Sequence, residues 1–405
     1  MSWPPYFSRQ GAALIATVAL LANNPIHAQP AQAVRPELAA PLSIARDLLQ
    51  RQKWTEALAQ LALADKAGAV KPDEVYLLER LRAAAATGAG DQRQVANSLS
   101  LALATGQAPV AEQPGLREAL AAALYGLKDW PAATLAATEA LKREPANTRV
   151  GLMLAQSRYL SQDFIGAASS LETLLLQQPA GVAPAQAQLE LLAGSYNKLK
   201  NTRAYMGVLE RLLTFYPSKN YWADLLANLE NQPGFAPELA IDVLRLQFTV
   251  GAMTEASEFV DLAQKALKAG FPTEALKVLE AASAAKMLDS GPGSEAHRRL
   301  MAQVRQLAAA DLNAAVQPAP SDPNQLFSAG YNRVLQNDNL GGIAQMEQAV
   351  RMPGLKRVQH AQLRLGEAAL TANNKVRALE AFKRVDATDG AADLARLWVL
   401  HATRP

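Results

Sequence analysis

A set of apolar positions recurs along this chain with a period of about 34 residues, and this recurrence restricts the fold more than any other feature. In the segment DWPAATLAATEALKREP, three small residues and a proline stand at relative offsets of 0, 4, 7 and 12. The same offsets return one period later in DFIGAASSLETLLLQQP, and again in a third segment after a slightly longer interval. The three sets are Ala133, Ala137, Ala140 and Pro145; Ala167, Leu171, Leu174 and Pro179; and Tyr205, Leu209, Leu212 and Pro217.

Offsets of 4 and 7 place side chains on one face of an α-helix, so each segment is predicted to be an amphipathic helix. The proline ends it, because its ring clashes with the preceding turn. Upstream of each segment, a leucine followed by a small residue marks a partner helix: Leu120 and Ala121, Leu154 and Ala155, and Leu192 and Ala193. Such short helices bury their apolar stripes only against neighbours. The pattern therefore predicts helix pairs packed in a row.

Helix pairs of this length with small residues at these positions resemble the tetratricopeptide repeat (TPR). Weaker copies extend the frame in both directions, at Ala57, Val95, Ala240, Ala275, Gly342 and Ala378. The resemblance implies an all-α fold, a right-handed superhelical solenoid of TPR-like helix hairpins whose first helices line a concave face. Composition agrees, because half of the residues are hydrophobic while only 6% are aromatic.

Proline-rich and polar segments divide the chain. We expect a helix over 295–312 and, after it, an extended linker in NAAVQPAPSDPN. The predicted order is a signal peptide over 1–28, a linker over 29–41, a TPR-like solenoid over 42–312, a Pro-rich linker over 313–324, and a C-terminal TPR pair with a capping helix over 325–402.

The first residues have the layout of a secretory signal peptide. Arg9 is the only charged side chain before an apolar run over 11–22, and small residues follow. The run is shorter than the roughly 20 residues that a membrane-spanning helix needs, although a retained anchor is the alternative. We expect cleavage after Ala28 or Ala33, a periplasmic mature protein, and no membrane span once the signal is removed.

Composition and motifs exclude several functions. The chain has no cysteine, which rules out disulfides and thiolate metal sites, and removal of Arg9 lowers its net charge from +3 to +2, so nucleic acid is not an expected partner. No phosphate-binding loop, nucleophile elbow or dinucleotide fingerprint occurs. His297, His360 and His401 lack the spacing of metal ligands and are expected at the surface or in caps. We predict no cofactor, no metal and no enzyme activity.

The repeat frame also predicts which first-helix side chains face the groove. Tyrosine rings, amides and charges there are suited to binding an extended peptide or a partner helix. Tyr125 and Tyr159 are one period apart and are expected to lie one above the other. Packing within the groove is favoured for Tyr125, and both roles are open for Tyr159. The candidate partner-binding residues are Tyr125, Arg149, Gln156, Tyr159, Glu190, Asn197, Lys198, Gln264 and Lys268, with Tyr331 and Glu367 predicted on the same face.

The stretch LLTFYPSKNYWADLLANL gathers four rings in a chain with few aromatic residues. Phe215 and Tyr216 are expected to close one helix, Ser218 to cap the next, and Tyr221 and Trp222 to pack back across the turn. Geometry favours a packing joint between repeats over a ligand site.

This stretch carries a second resemblance. The segment from Val208 to Ala282, and the chain after Leu340, look like periplasmic TPR proteins encoded with TonB, ExbB and ExbD. The matching residues are Tyr216, Pro217, Lys219, Tyr221, Trp222, Leu262, Ala263, Gln264 and Pro272. The segment 232–235 and the linker around Pro318 depart from the pattern. The resemblance implies a scaffold that is accessory to a TonB-dependent transport system, with TonB, ExbB or ExbD as possible protein partners.

Two other functions are compatible with the residues. One is a general periplasmic TPR adaptor for outer-membrane assembly or secretion. The other is a cell-wall enzyme or its regulator, which requires a catalytic domain with an acidic residue in a cleft.

Overall fold

The computed structural model describes residues 35–69, 71–179, 181–288, 293–313 and 321–404. These residues form twenty α-helices and one short 3-10 helix, and none of them is in a β-strand. The chain divides into two compact units, the first ending at Asn201 and the second beginning at Thr202. The predicted signal peptide and both cleavage positions lie outside the described residues.

Unit 1 contains nine helices, α1 to α9. They span Pro36–Gln50, Trp54–Ala67, Pro72–Ala89, Gln92–Ala104, Gln113–Gly126, Trp130–Arg143, Thr148–Leu160, Phe164–Leu176 and Gln186–Lys198. Consecutive helices pack as hairpins, and the first helices of successive hairpins also contact one another, as α1 contacts α3 and α5 contacts α7. This arrangement puts the first helices in one continuous layer.

Unit 2 contains eleven helices, α10 to α20. They span Thr202–Phe215, Lys219–Glu230, Ala240–Thr249, Ala256–Lys268, Pro272–Ala284, Ser294–Asn313, Pro323–Leu335, Asn339–Arg351, Val358–Thr371, Lys375–Lys383 and Ala391–Thr403, with the 3-10 helix Pro237–Leu239 before α12. The helix predicted over 295–312 is confirmed as α15.

The repeat positions form the core, as predicted. Ala133, Ala137, Ala167, Leu171 and most of their equivalents are buried, many of them completely, whereas Ala240 at the start of α12 is half-buried. Because alanine has only a methyl group, helix axes at these positions approach closely, toward the near end of the usual range of about 8 to 10 Å. The helices α6, α8 and α10 end at Arg143, Leu176 and Phe215, each a few residues before the proline of its repeat.

One turn geometry joins the two helices of most hairpins. Lys128 after α5 has a φ of +61°, and the next backbone N–H, that of Asp129, donates to Leu124 O at 3.1 Å. The Asp129 carboxylate then caps α6 by accepting from Ala132 N at 3.1 Å. These are a Schellman motif and an N-cap in direct succession. Within the two units, the left-handed residue recurs in hairpin turns at Gln52, Gly90, Gln162, Gly270, Asn337 and Asn373.

The C-terminal helices α16 to α20 belong to unit 2. They return to the beginning of unit 2, where α20 contacts both α10 and α12. Arg396 of α20 donates to both carboxylate oxygens of Glu210, at 2.9 and 3.1 Å. The Arg404 guanidinium lies 4.6 Å from the centre of the Trp222 ring. Unit 2 therefore closes on itself.

The segment 232–235 takes part in this closure, although it departs from the TonB-associated pattern. Ala236 N donates to Asp389 O at 2.8 Å, and the Phe235 ring lies against Gly390. Gly390 has a φ of +98°, and any side chain there would overlap the Phe235 ring. Both constraints require glycine at this position.

Two predicted linkers are shorter than expected. The first helix begins at Pro36, within the linker predicted over 29–41, because Pro36 occupies the first helical position, where its missing N–H leaves no hydrogen bond unmade. Helix α16 begins at Pro323, because Asp322 caps it by accepting from Asn324 N and Gln325 N. Residues 314–320 of the Pro-rich linker lie outside the described residues.

Candidate functional site

The candidate partner-binding residues of unit 1 lie on three first helices, α5, α7 and α9. Helix α7 contacts both α5 and α9, so these residues belong to one layer. Asn197 and Lys198 are exposed at the end of α9, whereas the others are half-buried: Tyr125, Arg149, Gln156, Tyr159 and Glu190. We call these seven residues the first-helix surface.

The two tyrosines of this surface pack within their own hairpins. The Tyr125 ring lies 5.1 Å from the Trp130 ring in an edge-to-face arrangement, and the Tyr159 ring lies 5.3 Å from the Phe164 ring in the same way. Each aromatic partner is the first residue of the second helix, five positions after the tyrosine. Burial raises the pKa of both tyrosine hydroxyls. The packing role favoured for Tyr125 thus applies to Tyr159 also.

Charged contacts tie successive first helices together. Arg149 of α7 forms an ion pair with Glu118 of α5, and Asn147 Nδ2 donates to the same carboxylate at 3.1 Å. Burial lowers the pKa of Arg149. One repeat earlier, Arg80 Nε of α3 donates to Glu112 at 2.6 Å. The repeat frame predicted neither ion pair, although the members of each pair are separated by close to one repeat length.

The remaining groups of this surface differ in how far their hydrogen bonds are satisfied. Gln156 Oε1 is buried and accepts no hydrogen bond from a residue that the structure describes. Glu190 accepts from Gln186 Nε2 at 3.0 Å, one turn earlier on α9. The surface therefore combines part-buried rings and a buried acceptor with two exposed polar side chains.

In unit 2 the predicted groove residues separate into two groups. Gln264 and Lys268 are exposed on α13. Tyr331 and Glu367 are buried inside the unit, with exposures of 6% and 4%, and the prediction that they line a binding groove is wrong. The reason is the closure of unit 2, which brings α16 and α18 against α12 and α14.

Where these helices meet, five residues with ionisable side chains form what we call the buried charge cluster: Asp242, Arg245, Glu274, Arg364 and Glu367. Asp242 is completely buried and accepts from Arg364 Nε and Nη2, both at 2.9 Å, and from Arg245 Nη1 at 2.8 Å. Arg245 Nε and Nη2 donate to the two oxygens of Glu274 at 2.7 Å. Two carboxylates and two guanidinium groups thus neutralise each other through paired hydrogen bonds.

Aromatic rings surround the arginine of this cluster. The Arg245 guanidinium lies 4.9 Å from the centre of the Tyr331 ring and 5.7 Å from that of the Phe271 ring. Burial alone would lower the pKa of Arg245, but the Glu274 and Asp242 carboxylates hold it well above its ordinary value. The arginine is therefore permanently charged in the interior of unit 2.

Glu367 is the exception in the cluster, because neither of its carboxyl oxygens has a hydrogen-bond partner among the described residues. Burial and the negative charge of Asp242 raise the pKa of Glu367 well above its ordinary value, although Arg245 and Arg364 act in the opposite direction. The carboxyl therefore holds its proton to a higher pH than an exposed glutamate does.

His360 was expected at the surface or in a cap, and this prediction is wrong. The side chain is buried, and its Nε2 lies 2.7 Å from Asp389 Oδ2. Burial alone would raise the pKa of Asp389, but hydrogen bonds from His360 and from Ala391 N hold it below its ordinary value. The contact joins α18 to the turn before α20.

The four rings of the aromatic joint lie at the end of α10 and in the first turn of α11. Helix α10 ends at Phe215, and Ser218 caps α11 by accepting from Asn220 N at 3.3 Å. Trp222 is fully buried, Tyr216 and Tyr221 are half-buried, and Phe215 is exposed. Three of the four rings thus take part in packing.

The described residues lack both a metal-binding cluster and a membrane-spanning helix. They contain no group of three or more histidine, aspartate or glutamate side chains placed to hold a metal ion. Among the helices of the described ranges, none has both the length and the apolar character needed to cross a bilayer.

Comparisons with known proteins give only structural similarities. No protein-family model matches the sequence, and no curated protein matches it. A tetratricopeptide repeat protein from Parabacteroides merdae is 14% identical with a TM-score of 0.32, over 80% of this chain and 99% of that one. The C-terminal part of a TPR repeat-containing protein from Cytophaga hutchinsonii is 10% identical with a TM-score of 0.31, over 79% and 98% of the two chains. Yeast Tom70 is 11% identical with a TM-score of 0.21, over 90% and 95%.

These TM-scores are too low to support an argument, so the fold class is assigned from the chain itself. The repeat period, the buried small residues and the repeated hairpin turns define an all-α protein built of TPR-like helix hairpins. Arrays of this class generally serve as protein-interaction scaffolds.

Proposed function

We propose that this protein is a non-enzymatic periplasmic scaffold, accessory to a TonB-dependent transport system, and that the first-helix surface of unit 1 binds its protein partner. The observation that carries the binding proposal is the character of that surface. Exposed Asn197 and Lys198 lie in the same layer as the part-buried rings of Tyr125 and Tyr159. Such a surface offers ring area and hydrogen bonds to a peptide or helix.

The geometry of the surface favours a partner that binds across several hairpins. The Arg149–Glu118 and Arg80–Glu112 contacts fix the first helices relative to one another before any partner arrives. A surface ordered in advance loses less conformational entropy on binding. Unit 2 supplies fewer such groups, because closure buries Tyr331 and Glu367.

The TonB assignment is supported by the resemblance of the joint sequence YPSKNYW and the segments around it. The periplasmic assignment is supported by the charge and hydrophobicity of residues 1–33. A general adaptor for outer-membrane assembly or secretion shares both the export signal and the repeats, so the identity of the partner distinguishes the two.

Site-specific crosslinking tests the surface and the partner together. The chain has no cysteine, so a single Asn197→Cys variant carries one photo-crosslinker on the first-helix surface. A Ser169→Cys variant places the same group on the exposed side of the second helix α8 and is the matched control. In intact cells we expect adducts with TonB, ExbB or ExbD from Asn197→Cys and none from Ser169→Cys.

Other results contradict defined parts of the proposal. Adducts with outer-membrane assembly or secretion components would replace the TonB role with that of a general adaptor. Adducts of equal yield from both variants would remove the first-helix surface as the binding site. Release of fragments from peptidoglycan by the purified protein would contradict the non-enzymatic assignment.

Export is tested independently by the mass of the protein isolated from cells. Cleavage after Ala28 or Ala33 gives a mature chain that begins at Gln29 or Val34. A chain that retains Arg9 and fractionates with the cytoplasm would contradict the periplasmic location.

A further inference from the structure

The closure of unit 2 depends on a balance of buried charges. In the buried charge cluster, Asp242 and Glu274 supply two negative charges, and Arg245 and Arg364 supply two positive ones. Each of the four carboxylate oxygens accepts at least one guanidinium hydrogen bond. The cluster is therefore neutral and satisfied without any contribution from Glu367.

An ionised Glu367 would disturb this balance. Its side chain is 4% exposed, and neither oxygen has a hydrogen-bond partner in the described part of the chain. Ionisation would therefore add a fifth charge with neither water nor a donor to stabilise it. If α18 separated from α12, water would reach the Glu367 carboxylate and donate hydrogen bonds to it.

We propose that Glu367 is a proton-operated latch: unit 2 is closed while this carboxyl carries a proton, and it opens along the contact between α12 and α18 when the carboxyl ionises. The inference goes beyond the scaffold function and does not depend on it. A solvent-equilibrated compartment such as the periplasm is where such a response has physiological use.

The direction of the response follows from linkage. In the closed state, burial and the negative charges of Asp242 and Glu274 raise the pKa of Glu367, and this effect exceeds the opposing effect of Arg245 and Arg364. In the open state the carboxyl has its ordinary pKa of 4.5. The closed state is thus fully favoured below about pH 4.5 and is lost as pH rises through the closed-state pKa. Between the two pKa values, the ratio of open to closed molecules rises about tenfold per pH unit.

Two other titratable groups lie near this contact. Burial raises the pKa of Tyr331 well above its ordinary value, so its hydroxyl stays neutral over the range concerned. His360 lies nearly two turns before Glu367 on α18 and pairs with Asp389. A test of the latch must separate the effect of Glu367 from that of this histidine.

The distance between α12 and α18 reports closure directly. Thr249 and Thr371 are exposed, and each hydroxyl donates within its own helix, to Arg245 O at 2.8 Å and to Glu367 O at 3.1 Å. Spin labels on a Thr249→Cys/Thr371→Cys variant therefore leave the side-chain contacts of the buried charge cluster in place. Double electron–electron resonance between pH 4 and 9 should show one short distance at low pH and a growing population of longer distances as pH rises.

Glu367→Gln in the labelled protein is the decisive variant, since it keeps the shape of the protonated carboxyl but does not ionise. We expect it to hold the short distance at every pH. Glu295→Gln, which removes an exposed carboxylate paired with Arg299 on α15, is the matched control and should respond as the unsubstituted protein does. Glu367→Met, apolar and of similar length, should behave as Glu367→Gln.

Each alternative result overturns the latch. A distance distribution that does not change with pH would contradict the latch. The latch would also be contradicted if the distances in Glu367→Gln changed with pH as much as those in the labelled protein with Glu367, because the response would then belong to His360 and Asp389. Loss of the folded state in both Glu367→Gln and Glu367→Met would also contradict it, because the closed state is assigned to an uncharged side chain at this position.

Discussion

Gly330 and Gly342 set the closest approach between two helices of unit 2. A Cβ added at Gly342 would lie 2.5 Å from Gly330 O and 2.8 Å from Val334 N. Both of these are backbone atoms, so the neighbouring helix can relieve the overlap only by moving as a whole. Gly207, in the middle of α10, is different, because a Cβ there meets no atom within 4 Å.

This difference predicts opposite effects of the same substitution. Gly342→Ala should destabilise the protein by about 1 to 3 kcal/mol, because it overpacks the contact between α16 and α17. Gly207→Ala should stabilise it by about 0.5 to 1 kcal/mol, because alanine restricts the unfolded chain and meets open space in the helix. The free energy of unfolding in urea measures both. A gain of stability in Gly342→Ala would show that the helices separate easily.

Gly342 and Glu367 show where the positions predicted from the sequence agree with the structure and where they differ. The repeat frame placed Gly342 correctly as a core position, because the spacing of small residues is visible in the sequence. The same frame placed Glu367 on a partner-binding face. Burial of a carboxyl is decided by helices that lie far earlier in the chain, such as α12 with Asp242, and no local pattern records it.

The repeated element is the hairpin together with its turn. A left-handed residue, a Schellman hydrogen bond and an N-cap follow one another within three positions, as in Lys128 and Asp129. A left-handed conformation costs a residue with a Cβ about 1 kcal/mol more than it costs glycine. Two of the hairpins use glycine here, at Gly90 and Gly270, whereas most use a polar residue.

Replacing the left-handed lysine tests this assignment. Lys128→Gly should raise the free energy of unfolding by about 0.5 to 1 kcal/mol, because the relief of left-handed strain exceeds the entropy that glycine adds to the unfolded chain. Lys128→Ala is the control, since it removes the same exposed side chain but keeps the Cβ, and it should give no gain. Urea unfolding compares the two variants. Equal stabilities would mean that the turn is not strained at this residue.

At the scale of the whole molecule, each unit is stabilised in its own way. Unit 1 is a row of hairpins whose first helices are joined by ion pairs such as Arg149–Glu118. Unit 2 closes by contacts between α12 and α18 and between α10 and α20. Contacts of the second kind link residues 122 and 186 positions apart, so they form only when the unit is assembled.

Removing the central carboxylate should therefore affect the assembly of unit 2 strongly. Asp242→Asn leaves the Arg245 and Arg364 guanidinium groups without the charge that they surround, and loss of one partner from a buried ionic group typically costs about 3 to 5 kcal/mol. Hydrogen exchange of the α12, α14 and α18 amides should detect the lost protection. Glu295→Gln, at an exposed pair, should change protection little. Unchanged exchange in Asp242→Asn would mean that the cluster does not hold unit 2 closed.

The all-α class, the hairpin period and the repeat core at positions such as Ala133 and Leu171 follow from the amino-acid sequence alone. These features depend on contacts between helices that are neighbours in the chain. The same spacing of apolar residues occurs in every repeat, so the sequence predicts these contacts. The closure of unit 2 and the burial of Tyr331, Glu367 and His360 could be seen only once the helices were assembled. These features depend on single contacts between helices that are far apart in the chain. A single arginine or glycine that makes such a contact does not recur with the repeat, so no sequence pattern predicts the contact.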